Sequence, residues 1–99
     1  MITGGSIMKT GKNIYKAGKL LKVSLRYDST IEEIQITGDF FLYPEEGIEK
    51  LQLQLIGTEL TREKLIQKID QILKTEKIEP FGFTPEQLAE AIMGALKNE

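Results

Sequence analysis

The chain contains no cysteine and no histidine. That removes a disulfide framework, the Ser-His-Asp and Cys-His nucleophilic centres, and the usual zinc and iron–sulfur ligand sets. Long apolar runs are also missing. None approaches the roughly 20 residues that cross a bilayer, and the first residues lack the apolar segment of a secretory signal. A cytoplasmic protein with no membrane association is the expectation. Acidic residues are absent from positions 1–27, which hold Lys9, Lys12, Lys16, Lys19, Lys22 and Arg26, while all 15 acids lie in the remainder. A basic N-terminal arm on an acidic body can steer towards a nucleotide phosphate, a nucleic acid or an acidic protein surface, or can simply keep an edge strand soluble.

Ninety-nine residues, 40% of them apolar and 28% charged, suit one soluble domain with a single core. Residues 1–12, MITGGSIMKTGK, are rich in Gly, Ser and Thr without periodicity, and read as a flexible leader to a single domain over 13–99. NIYK is expected to be an edge strand. After Gly18, Leu21, Val23 and Leu25 alternate with Lys22, Ser24 and Arg26, the period of a half-buried strand. Asp28 and Ser29 make a turn, and Ile34 and Ile36 then alternate with Glu33, Gln35 and Thr37, so the two runs form an antiparallel hairpin.

Beyond Pro44 the period becomes helical. Ile48, Leu51 and Leu55 share one face, with Glu45 and Glu46 at the start as caps and Gly57 placed as a C′ residue. Thr61 caps a second helix whose stripe is Leu65, Ile66, Ile69, Ile72 and Leu73. Thr84, Pro85 and Gln87 spell a capping box with proline at N1, and Phe83 and Leu88 stand at the hydrophobic-staple positions. Leu88, Ala91, Ile92 and Leu96 face inward. Strands followed by helices give an α+β domain: a three-stranded antiparallel sheet covered on one face by about three helices.

Few residues could carry chemistry. A phosphate loop fails because Gly11 and Gly18 are separated by six residues and Leu20 stands where the magnesium-binding hydroxyl belongs. Asp39 has no evident partner carboxylate for acid–base work. No basic–aromatic alternation suited to RNA appears, and the second helix mixes both signs of charge, which disfavours nucleic-acid binding.

The remaining informative stretch is ITGDFF, residues 36–41. Adjacent rings on a strand point to opposite faces, so one core accepts only one of them. Either one of Phe40 and Phe41 anchors the sheet while the other joins an apolar docking patch, or a bulge turns both inward; Gly38 permits a bulge or a positive φ that re-aims the strand end. Asp39 either caps the turn or pairs with a base across an interface.

AGKLLKVSLRYDSTIEEIQITGDFF, followed by IEKLQLQLIG and two amphipathic helices, resembles the small C-terminal accessory domain of lipoate–protein ligases over roughly residues 13–96. The resemblance implies a SufE/NifU-type fold. With no large domain in the chain, it also implies the bipartite arrangement, in which a separate small subunit pairs with a large catalytic subunit as a heterodimer. The implied reaction makes lipoyl-AMP from lipoate and ATP, then transfers the lipoyl group to a lysine of a lipoyl carrier domain. ATP, Mg2+ and lipoate would belong to the complex, and this chain alone would hold no cofactor, no metal and no catalytic residue. Candidates for docking or for closing the partner's active site are Lys16, Gly18, Lys19, Leu20, Gly38, Asp39, Phe40 and Phe41. A stand-alone interaction scaffold, or a nucleic-acid module using the basic arm, is the alternative.

Overall fold

The computed structural model describes residues 9–97. The period-two run is β2 (Lys19–Tyr27), which lies between β1 (Lys9–Ala17) and β3 (Ile31–Gly38) in a sheet of order β1-β2-β3. Both pairs are antiparallel, with Val23 opposite Asn13 on one side and Ile36 on the other. Leu21, Val23, Leu25 and Tyr27 are buried on one face, joined there by Ile34 and Ile36. Ile31 is also fully buried although it stands three residues before Ile34. A register shift between Arg26 and Tyr27 explains this: the extra residue restores the inward direction.

Three helices cover that face: α1 (Gly47–Leu55), α2 (Arg62–Thr75) and α3 (Pro85–Lys97). The α1 stripe buries Leu51 and Leu55, and the α2 stripe Leu65, Ile69, Ile72 and Leu73. Thr61 caps α2 by accepting from the Lys64 N–H at 3.3 Å. At α3 the capping box is complete, with Thr84 Oγ1 accepting from Gln87 N at 3.1 Å and Gln87 Oε1 from Thr84 N at 3.0 Å. Glu46 stands at the α1 N-cap but makes no side-chain cap bond, so it acts there through charge alone. Gly57 follows α1 at φ +89°, the left-handed geometry of a C′ glycine. No helix among the described residues is long and apolar enough to cross a membrane.

Two features depart from the sequence reading. The strand expected to run to Phe41 ends at Gly38, and Phe41–Tyr43 forms a separate strand, β4, paired antiparallel with β5 (Glu79–Phe81). The leader is also shorter than expected, since residues 9–12 belong to β1. The expectation for residues 1–8 lies outside the described residues.

Gly11 is the physical reason for the second correction. It is buried, and a Cβ there would collide with the Ala95 carbonyl of α3. Likewise a Cβ at Gly94 would run into the Asn13 amide, which donates from Nδ2 to the Ala91 carbonyl at 3.0 Å. Small residues on both elements thus let α3 lie directly on β1. Gly11→Ala is therefore expected to lower stability by about 1–3 kcal/mol, an overpacking cost. The exposed neighbouring change Thr10→Ala should stay within about 0.5 kcal/mol in urea unfolding. Equal midpoints for the two variants would return residues 9–12 to the leader.

Candidate partner-docking site

The site begins where β3 ends. Gly38 has φ +149°, and a Cβ on it would overlap the Leu20 carbonyl. That same carbonyl accepts from Asp39 N at 2.9 Å. The first turn of chain after β3 is thereby held against the start of β2, which only glycine permits. Of the two devices expected at Gly38, the positive φ is present and the bulge is not; the register shift between β2 and β3 lies at their other end, at Arg26 and Tyr27.

From this point the rings diverge. Phe40 is half-buried and meets Phe83 edge to face, with centroids 5.2 Å apart and planes at 86°. Phe41 is 63% exposed and stacks on Phe81, at 5.0 Å and 17°. Leu42 turns inward and is buried, and Tyr43 turns outward again and is 69% exposed. Since Phe41 pairs with Phe81 across the ribbon, Phe41, Tyr43 and Phe81 share its outer face. Beside it runs an apolar groove of about 350 Å3 lined by Ile36, Phe40, Phe41, Leu42 and Ile48, with Glu45 contributing a charge. Edge-to-face and stacked pairs each add about 0.5–1.5 kcal/mol beyond area burial, so the ribbon is held in shape by its own rings.

The lysines of the hairpin divide. Gly18 sits at the β1–β2 tip with φ +94° and open space where a Cβ would stand, so conformation rather than crowding calls for glycine. Lys16 pairs with Leu20 and shares the outer sheet face with Lys22, away from the helices. Lys19 has the opposite parity. Its stem reaches Gly82, where an added Cβ would lie 3.0 Å from Lys19 Cγ and 2.9 Å from Phe40 Cβ. Lys19, Phe40 and the end of β5 therefore converge, and Lys16 stands apart from them. Leu20 is half-buried, and Asp39 is exposed with no side-chain partner among the described residues.

Sequence reasoning missed Tyr43, Phe81 and Gly82. The available signal was PFGF at residues 80–83, a second pair of rings around a glycine that echoes GDFF.

Fold and ribbon together define a small α+β domain carrying an exposed aromatic patch, Phe41, Tyr43 and Phe81, at one end. The chain belongs to the lipoate protein ligase C-terminal family: the family model described as bacterial lipoate protein ligase C-terminus matches residues 15–92, from β1 into α3. It is 37% identical over 87 residues to lipoate-protein ligase A subunit 2 of Thermoplasma acidophilum, covering 86% of this chain and 88% of the relative. It is also similar to a solved chain from the structural study of an archaeal lipoylation system, a bipartite lipoate protein ligase and its E2 lipoyl domain, from Thermoplasma acidophilum. The TM-score is 0.67 and the identity 30%, over 87% of this chain and 94% of that one.

The two adjacent phenylalanines should separate in unfolding experiments. Phe40→Ala removes a packed ring and is expected to cost about 2–3 kcal/mol, the low end for buried aromatics because Phe40 is only half covered. Phe41→Ala forfeits one exposed stack and should cost about 1 kcal/mol or less. Similar costs for both would mean that both rings serve the core.

Proposed function

We propose that this chain is the small, non-catalytic subunit of a two-chain lipoate–protein ligase, acting with a large catalytic subunit in ATP-dependent formation of lipoyl-AMP. The family supports the reading, as does likeness along nearly the whole length of a relative named as a second subunit. The observation that carries it is the ribbon: Phe41, Tyr43 and Phe81 are exposed as a preformed aromatic face on a chain without histidine or cysteine. Aromatic anchors of this kind dominate binding when a partner desolvates them.

The chemistry gives such a subunit work to do. Attack of the lipoate carboxylate on the α-phosphorus of ATP breaks the bond to the β-phosphate, expels pyrophosphate, builds negative charge on the phosphate oxygens and yields a mixed anhydride that water destroys. A docked cover offsets that charge with a lysine and excludes water. The candidate for this task is Lys19, supported by its stem lying beside Gly82 and Phe40 at the end of the ribbon, rather than Lys16 on the other face. In the complex, ATP, Mg2+ and lipoate bind to the large subunit, and the lipoyl group passes to the lysine of a lipoyl carrier domain.

Pyrophosphate exchange into ATP, measured with lipoate and the catalytic subunit, is expected to depend on this chain. Phe41→Ala combined with Phe81→Ala should raise the concentration of this chain needed for half-maximal exchange by about 30-fold or more, as expected for central aromatic anchors. Lys19→Ala should lower the saturated rate by about 10-fold and leave that concentration within about 3-fold. Exchange equally fast without the chain would overturn the proposal.

A further inference from the structure

The sheet has two edges, and only one of them is closed. Along β3, Ile36 N donates to Gln52 Oε1 of α1 at 2.7 Å. Ile31 N donates to the Thr58 carbonyl at 3.1 Å, Gly57 N to the Ile31 carbonyl at 2.7 Å, and Thr30 bridges to Glu59. Along β1 the only strand alongside is β2, and no described segment covers the other edge. That edge is nine residues long and contains no proline. Its register with β2 is unbroken from Lys9 opposite Tyr27 to Ala17 opposite Lys19. An edge of this length with neither bulge nor cover is a template for strand pairing. It is also stiff, because Gly11 and Asn13 are pinned to α3. Little ordering would be lost when a segment joined it.

We infer that the free edge of β1 is a strand-addition site for an extended acidic segment of a partner protein, with an apolar residue between two carboxylates on the face it shares with Ile14.

Charge selects the occupant. Lys9, Lys12 and Lys16 lie along the edge, no acid occurs in residues 1–27, and none of the three lysines is in an ion pair with a described residue. A second copy pairing antiparallel through the same edge, Ile14 against Ile14, would set Lys12 of each copy against Lys16 of the other on the outer face, which is repulsive. An acidic strand is drawn to that same row, so the lysines reject self-pairing and admit the partner. Register comes from Ile14, which is 66% exposed on the outer face and stands between Lys12 and Lys16, with Lys22 opposite on β2. Side chains directly across a strand pair are about 5 Å apart. A strand laid along β1 with an apolar side chain beside Ile14 thus brings its carboxylates at the second positions before and after to Lys12 and Lys16. Main-chain hydrogen bonds supply the affinity and these three positions the selectivity. The inference does not rest on the ligase reading, since it concerns an edge and not the ribbon.

The test uses the full chain, labelled with nitrogen-15, and the peptide Thr-Glu-Thr-Val-Thr-Glu-Thr. Binding should move the amide signals of residues 9–17 and slow their hydrogen exchange. Ile14→Glu and the pair Lys12→Glu, Lys16→Glu should each weaken binding by about 10-fold or more, while leaving the amide spectrum of the rest of the chain folded. Two N-methylated peptides, blocked at odd or at even positions, provide the decisive comparison. Only alternate amides face β1, so one peptide should lose binding and the other keep it. The proposal is overturned if both methylated peptides bind alike, or if a scrambled peptide of the same composition binds as well. It is equally overturned if a single-stranded oligonucleotide competes as effectively as the peptide, or if protection falls outside β1.

Discussion

Covering one face of β2 is the constraint on which the rest of this structure depends. Its inward residues, Leu21, Val23, Leu25 and Tyr27, run down the centre of a sheet only three strands wide, and three helix stripes suffice to bury them. Among the described residues nothing is left to cover the opposite face or the β1 edge. Helix α3 reaches β2 only by lying almost in contact with the β1 backbone, and this fixes small residues at Gly11, Ala91, Gly94 and Ala95. The same close approach holds the hairpin firmly enough for its tip and edge to present lysines in defined directions. Core packing and surface presentation are thus consequences of one geometric choice.

That choice also divides the basic charge. Six basic residues in the first 27 look like a single arm in the sequence, yet strand alternation sends them to different places. Lys12, Lys16 and Lys22 project from the uncovered sheet face, whereas Lys19 folds along Gly82 and Phe40 towards the ribbon. Arg26 is tied to Glu33 across the hairpin at 2.9 Å, a pair exposed enough to add little stability. Lys16 and Lys19 flank the same glycine but cannot act on the same target. One positive potential in the sequence becomes two chemically separate surfaces in three dimensions.

What was legible in the sequence was whatever depends on nearby residues. Alternation along β2, the Thr84–Gln87 box, and the apolar stripe of α2 each report a local periodicity or a local hydrogen bond, and each is present in the fold. Gly11 shows the limit. A glycine in a Gly/Ser/Thr-rich stretch reads as flexible, but its neighbour is Ala95, 84 positions away, and no local pattern encodes that contact. The ribbon was hidden for a related reason. Strands of three residues are too short for a period, and the partner of Phe41 lies beyond two helices at Phe81. The family resemblance located the docking candidates around GDFF but not their other half in PFGF.

The ribbon also bears on how the domain tolerates an exposed aromatic face. An exposed aromatic pair is a liability for solubility unless it is small and rigid, and here the Phe41–Phe81 stack keeps it so. Phe41 and Phe81 already sit in the arrangement a partner would meet, and two side-chain torsions per ring leave little freedom to lose on docking. A preformed face of only three rings favours fast engagement and also permits release, because the buried area is modest. A larger apolar face would be a greater liability in the free chain, and a looser one would lose more freedom on binding. The ribbon is thus small enough to leave the domain soluble and rigid enough to lose little freedom on binding.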